Sequence, residues 1–143
     1  MKALVIGFGS IGRRHAEILS NMEEIDFVSI LSNQKDVPYE KITTLEEIKK
    51  VDPDYIIVAS PTSQHFTSIK FIEKNLKNKK VLVEKPLFDN QKNYDISNNH
   101  IFVGYNLRFH PLIQKLKILI SNKQIWNFQI YCGSYLPDWR PDR

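Results

Sequence analysis

Short apolar runs alternate with longer stretches of helical period along most of this chain. The runs Ala3–Gly7, Phe27–Leu31, Tyr55–Ala59, Val81–Glu84 and Ile101–Gly104 are apolar on both faces. Runs of this kind separated by helices predict an α/β fold, a doubly wound parallel sheet covered on both sides. Ile11, His15, Ile18, Leu19 and Met22 form a stripe at helical spacing after the first run. Thr44-Leu45-Glu46-Glu47 has the form of a capping box opening a second helix, which Pro53 bounds from the far side. Phe66, Ile69, Ile72 and Leu76 recur at spacings of three and four and predict the core stripe of a third helix. Past the fifth run the pattern changes. Leu112, Ile113, Leu116, Leu119 and Ile120 mark an amphipathic helix, and Ile125 to Tyr131 alternates like a half-exposed antiparallel strand. The change predicts one domain over residues 1–121 and the opening of a second unit over 122–143.

Composition narrows the class. The 143 residues are 42% hydrophobic and 25% charged, with no repeat or low-complexity tract, which suits a folded domain. A single cysteine, Cys132, allows no intrachain disulfide and gives no sign of an oxidising compartment. The apolar start is broken by glycines and then by Arg13-Arg14-His15, so it does not read as a signal peptide. No run approaches the roughly 20 apolar residues of a membrane span. These features predict a cytoplasmic protein without a membrane partner. The net charge of +4 and the cluster Lys74, Lys77, Lys79 and Lys80 raise nucleic acid as a partner. Those lysines fall at the end of a predicted helix, where cations complement its dipole, and no aromatic residues interleave them as stacking platforms. Nucleic acid is therefore not expected.

The candidate chemistry begins at Gly7-Phe8-Gly9-Ser10-Ile11-Gly12, which follows the first strand and opens the first helix. In such a loop Gly7 permits the tight turn, Gly9 lets the backbone approach a pyrophosphate, and Gly12 lets the helix pack closely. The helix beginning near Ile11 would aim its unpaired N–H groups and positive dipole end at the phosphates, with Ser10 in the loop before it joining the cofactor-binding residues. A dinucleotide is the predicted ligand.

Four motifs together carry a resemblance. They are Gly7 to His15, Ser60-Pro61-Thr62-Ser63-Gln64-His65, Glu84-Lys85-Pro86-Leu87, and Val103 to Pro111 with its Tyr105-Asn106-Leu107-Arg108. In this order they resemble the glucose–fructose oxidoreductase and inositol dehydrogenase family, often called Gfo/Idh/MocA. Gly133 to Pro141 is similar to the opening of that family's second domain. The resemblance implies a Rossmann fold and an NAD(P)-dependent oxidoreductase of sugars, nucleotide sugars or cyclitols, possible as a homo-oligomer. It implies that Ser60, Pro61 and Thr62 pass beside the cofactor, although a strand-to-helix turn capped by Thr62 or Ser63 explains them equally well. His65 is implied to line the nicotinamide pocket, with a surface histidine as the alternative. Glu84 is implied to join the cofactor-binding residues. Lys85 is implied to be catalytic, polarising or deprotonating the substrate hydroxyl as hydride leaves. Asn106 and Arg108 are implied to position substrate.

The chain departs from the family pattern in three places. The family's Asp and following His from a second-domain helix have no counterpart. Between Leu87 and Val103 the segment from Asp89 to Asn99 is rich in poor helix formers, so a crossover helix should be short, frayed or partly missing. The acid expected roughly 20 residues beyond the glycines, to bind ribose hydroxyls, is replaced by Ser32-Asn33-Gln34-Lys35. Asn33 and Lys35 would tolerate a 2′-phosphate, which tilts the cofactor expectation from NAD toward NADP. The alternatives are a truncated protein that binds nucleotide or a partner without catalysis, and a methyltransferase. The missing acid disfavours the latter.

Overall fold

The computed structural model describes residues 1–131 and 133. They divide between two units, Met1–Tyr105 and the described residues from Asn106 onward. The first contains β1 (Lys2–Ile6), α1 (Ser10–Ser20), β2 (Phe27–Leu31), β3 (Glu40–Ile42), α2 (Ile48–Val51), β4 (Tyr55–Val58), α3 (Thr62–Asn75), β5 (Lys80–Val83) and β6 (His100–Val103). The sheet order is β3-β2-β1-β4-β5-β6, and every neighbouring pair is parallel. Chain direction across the sheet therefore reverses between β1 and β4, where such folds open a ligand crevice.

Alternation along the strands supplies both faces of the core. Leu4, Ile6, Ile56 and Val58 pack with Ile69 and Ile72 of α3, while Ala3, Val5 and Ile57 pack with Ala16 and Leu19 of α1. The predicted strand ends Gly7, Ala59, Glu84 and Gly104 lie one residue past the observed strands. They still extend the ladder, donating N–H to Leu31, Ile6, Val58 and Val83 carbonyls at 2.8–2.9 Å. This backbone continuity fixes where the following loops leave the sheet.

Two expectations from the pattern are corrected. The buried face of α1 is Gly12, Ala16 and Leu19, whereas Ile11, Ile18 and Met22 are 40%, 51% and 42% exposed. Close approach of α1 to the loop beneath it favours small residues there, and a stripe chosen by side-chain bulk misses them. A sixth strand, β3, was not anticipated. It has only three residues, two of them charged, and buries only Ile42. The second helix is a single turn. Its entry is held by the Glu47 carboxylate, which accepts from Thr43 and Thr44 N–H at 3.0 and 2.8 Å and from the Thr44 hydroxyl at 2.9 Å. The backbone of Thr43 and the side chain of Thr44 thereby hold the Glu47 pKa down to about 2.

No helix joins β5 to β6. Other contacts hold the connection in its place. Phe66 of α3 meets Phe88 and Tyr94 edge-to-face, with centroids 5.5 and 5.6 Å apart. Glu73, also on α3 and 3% exposed, accepts from Ser97 N–H at 2.9 Å, from Asn98 N–H, and from Asn99 Nδ2 at 3.0 Å. Burial pushes the Glu73 carboxyl up, but the hydrogen bonds from Asn99, Asn98 and Ser97 outweigh it and hold the group below its ordinary range.

In the second unit a 3-10 turn, Asn106–Phe109, precedes α4 (Pro111–Ile120). His110 Nδ1 accepts from Leu112 N–H at 3.2 Å to cap that helix, and Pro111 occupies its first turn, where no amide hydrogen is needed. Residues 125–131, expected to form a strand, are irregular. Among the described residues no strand pairs with them, and an unpaired strand has no ladder to hold it. Cys132 and the residues from 134 onward lie outside the described residues.

Candidate functional site

A cleft of about 490 Å³ opens at the carboxyl ends of β1, β2 and β4. Gly7, Gly9, Ser10, Ile11, Asn33, Ser60 and Pro61 line it, together with Phe8, Ser32, Gln34 and Gln64. A larger cavity of about 570 Å³ lies at the amino ends of β1 and β2, beside Lys2 and Phe27. That is the end at which doubly wound sheets do not bind ligands.

The three glycines of the loop do different things. Gly7 has φ +95°, and a Cβ there would come within 2.6 Å of the Ser60 nitrogen. A Cβ on Gly12 would lie 2.2 Å from the Gly7 carbonyl oxygen, so only glycine lets α1 sit this low. Gly9 is extended, and a Cβ on it would meet nothing within 4 Å. Free space in front of Gly9 is what close approach of a ligand requires. Gly9 also precedes α1 without a side-chain cap, leaving the first amides of the helix available.

The carboxyl end of β4 adds a second polar feature. Ser60 Oγ is buried and has no hydrogen-bond partner among the described residues. The residue lines the cleft, but its hydroxyl oxygen is closed off from solvent, so the groups open to a polar ligand such as a dinucleotide are those around Gly9 and the start of α1. No acid is among the described residues lining the cleft. The ends of β1, β2 and β4 thus offer backbone amides, a hydroxyl and side-chain amides, a donor set matched to phosphate and ribose oxygens.

The other sequence-predicted residues are placed differently. Thr62 begins α3 and Lys35 lies past the β2 end, neither lining the cleft. His65 is 1% exposed, which removes the surface alternative. Its Nε2 lies 2.9 Å from the Ser60 carbonyl oxygen, and its Nδ1 lies 3.2 Å from the carbonyl oxygens of both Pro86 and Leu87. The ring therefore joins the loop after β4 to the loop after β5. His15 Nε2 donates to Glu84 Oε1 at 2.8 Å, and Glu84 Oε2 accepts from Lys85 N–H at 3.3 Å. Glu84 thus links α1 to the end of β5, while the exposed Lys85 forms no salt bridge among the described residues. Asn106 and Arg108 belong to the 3-10 turn of the second unit.

Sequence reasoning missed Arg13 and Gln34 as partners. Arg13 Nη2 donates to Gln34 Oε1 at 3.0 Å, and its guanidinium lies 4.7 Å from the Phe8 ring centroid. Only the position of Arg13 just after the glycine loop hinted at it. Among the described residues no cluster of three His, Cys, Asp or Glu could hold a metal, and no helix is long and apolar enough to cross a membrane.

Comparison with known proteins bears on the fold. The model of the Gfo/Idh/MocA oxidoreductase family, described by its NAD-binding Rossmann fold, matches residues 1–96. No curated protein matches the chain. Among solved structures, the chain is similar to the putative oxidoreductase yvaA of Bacillus subtilis at 24% identity and TM-score 0.66, covering 84% of this chain and 38% of that one. It is similar to scyllo-inositol dehydrogenase of Lactobacillus casei, solved with NAD(H) and scyllo-inositol, at 20% identity and TM-score 0.66, covering 85% and 41%. Myo-inositol 2-dehydrogenase of Lactobacillus plantarum is similar at 21% identity and TM-score 0.69, again over 85% and 41%. The chain spans about two fifths of the length of these structures.

Proposed function

We propose a function from the premise that this chain belongs to the Gfo/Idh/MocA oxidoreductase family, whose NAD-binding Rossmann fold it carries over residues 1–96. The chain is the cofactor-binding portion of an NAD(P)-dependent oxidoreductase acting on a hydroxyl or carbonyl of a sugar, nucleotide sugar or cyclitol. The observation that carries this reading is an open Gly9 before the uncapped start of α1, in a crevice at the carboxyl ends of β1 and β4 that no acid lines. A solved neighbour bound to NAD(H) and scyllo-inositol supports the ligand class.

Gly9, Ser10 and Ile11 hold the pyrophosphate by backbone amides, with Gly7 making the turn while its own N–H is taken by the Leu31 carbonyl, and Gly12 keeping α1 at the right height. Ser60 and Pro61 flank the cofactor at the end of β4, with Thr62 just beyond them. Asn33 faces its adenosine ribose and Lys35, past the β2 end and outside the cleft lining, adds positive charge nearby, with NADP favoured over NAD because no acid lines that end. A nicotinamide bound here supplies the hydride acceptor or donor. Lys85 places a cation at the reacting oxygen, stabilising negative charge there and exchanging its proton. Glu84 positions Lys85 through its bond to the Lys85 amide. Asn106 and Arg108, on the second unit, are that unit's candidates for substrate contact, and residues from 122 onward open a second domain.

Titrating the 143-residue chain with NADH and NADPH by calorimetry tests the cradle. Gly9→Val should abolish binding and leave the far-UV spectrum unchanged, because its Cβ meets ligand space and no protein atom. Equal affinity of parent and variant would refute the assignment.

A further inference from the structure

The carboxyl end of β2 holds a small polar assembly that the reading above does not use. Gln34 N–H donates to Ser32 Oγ at 3.1 Å, Gln34 Nε2 donates to the Phe8 carbonyl at 3.1 Å, and Lys41 Nζ donates to the Gln34 carbonyl at 3.1 Å. Arg13 reaches in from α1, donating through Nε to the Phe8 carbonyl at 3.3 Å and through Nη2 to Gln34 Oε1. Phe8 is itself 4% exposed and braced edge-on by Tyr39. The guanidinium is therefore held beside the cleft by the Phe8 ring and two acceptors, none of them charged. Its remaining N–H donors have no partner among the described residues, and it forms no salt bridge there. Arg13 and Asp36 are both exposed and neither lines the cleft itself; Arg13 reaches it through Phe8 and Gln34, which do.

A cation fixed by neutral neighbours and keeping part of its fork free is a receptor for an anion. In a doubly wound fold the end of β2 is where the ribose hydroxyls of the adenosine are read. We propose that Arg13 is the specificity-determining residue of the cofactor site, reading a phosphate on the 2′-oxygen of the adenosine ribose. This rests on the dinucleotide reading and deepens it, moving the discrimination from Lys35 to Arg13. Lys35 is a flexible exposed point charge, whereas Arg13 is pre-oriented and offers the planar donor pair that phosphate accepts.

The test uses two fragments without nicotinamide, 2′,5′-ADP and 5′-AMP, titrated calorimetrically into the 143-residue chain and its variants at low salt. The parent should bind 2′,5′-ADP about tenfold or more tightly than 5′-AMP, the scale of a charge-assisted hydrogen bond. Arg13→Gln should erase that ratio and leave 5′-AMP affinity within about twofold, Arg13→Lys should restore part of it, and Lys35→Gln should cost less than Arg13→Gln. Loss of both fragments equally in Arg13→Gln would overturn the proposal, since Arg13 would then merely prop the loop. Equal binding of the two fragments by the parent would also overturn it. If 5′-AMP and NADH both fail to bind the parent, the dinucleotide reading itself falls, an outcome distinct from either.

Discussion

Glu73→Gln perturbs the connection that stands where a crossover helix would otherwise cover the sheet. The carboxylate serves three donors, the amides of Ser97 and Asn98 and the Asn99 side chain, and sits almost wholly buried on α3. Glutamine keeps one acceptor oxygen and turns an NH2 group toward the remaining donors. At least one buried N–H then loses its partner, at a cost of about 1–3 kcal/mol, and the surviving bonds lose the charge assistance worth about another 1 kcal/mol. Removing a buried charge recovers part of its desolvation, so the net loss is about 2–3 kcal/mol. In a domain of this size that lowers Tm by about 6–12 °C.

The pH dependence carries the sign. The folded pKa of Glu73 is held below its ordinary 4.5, so the unfolded state takes up the proton first as pH falls. The stabilisation is complete above that ordinary value and is lost as pH drops through the lower folded one. Thermal melts of parent and Glu73→Gln should therefore differ most near neutral pH and converge as pH falls below the ordinary 4.5 and through the lower folded value. Hydrogen exchange should show the loss first at residues 97–103. Melts that agree within about 2 °C at pH 7, or a gap that stays constant into acid, would refute this account of how β6 is held.

Two further substitutions probe the crevice. Gly12→Ala forces α1 away from the Gly7 carbonyl, so stability should fall by about 1–3 kcal/mol or more and dinucleotide binding should fall with it; a parent-like melting temperature would show that the helix yields without cost. His65→Phe keeps the ring's bulk but removes its nitrogens from the Ser60, Pro86 and Leu87 carbonyls, and exchange should rise in peptides covering 60–62 and 85–88 while β2 is unchanged; uniform protection would deny His65 its linking role.

What could be read from the pattern and what could not divides by range. The strands at Phe27–Leu31 and Tyr55–Val58 were legible because a fully buried strand is an unbroken apolar run, and the glycine loop was legible because its demands are local. A weakened helix between β5 and β6 was legible in the Asn- and Asp-rich composition of residues 89–99, and the structure goes further, with no helix there at all. Nothing local, however, announced that Glu73 would receive Ser97, Asn98 and Asn99, or that Arg13 would find Gln34. Such bonds join residues distant in sequence, carry no period, and are created by the sheet order. The face of α1 was misread for a related reason. Hydrophobicity ranks Ile11 and Ile18 above Gly12 and Ala16, but a helix that must touch a loop backbone selects for the absence of side chain.

His65 and Glu84 give the crevice a division of labour. The backbone that would meet a pyrophosphate is braced from several sides: Gly7 by its bond to Leu31, the Ser60 carbonyl by His65, and the β5 end by Val58 together with Glu84 and His15. These groups are fixed by ladder bonds and buried side chains before any ligand arrives, so binding there costs little reorganisation. The charged tips are not held in this way. Lys35 and Lys85 are exposed, and screening by salt acts on such groups within a Debye length of about 8–10 Å. Affinity for the part common to all dinucleotides should thus arise from the rigid amides and vary weakly with ionic strength. Discrimination at the 2′ position should arise from exposed cations and fade as salt rises. Arg13 lies between these classes, an exposed cation fastened to the rigid wall through Phe8 and Gln34, which is why its substitution should separate selectivity from affinity.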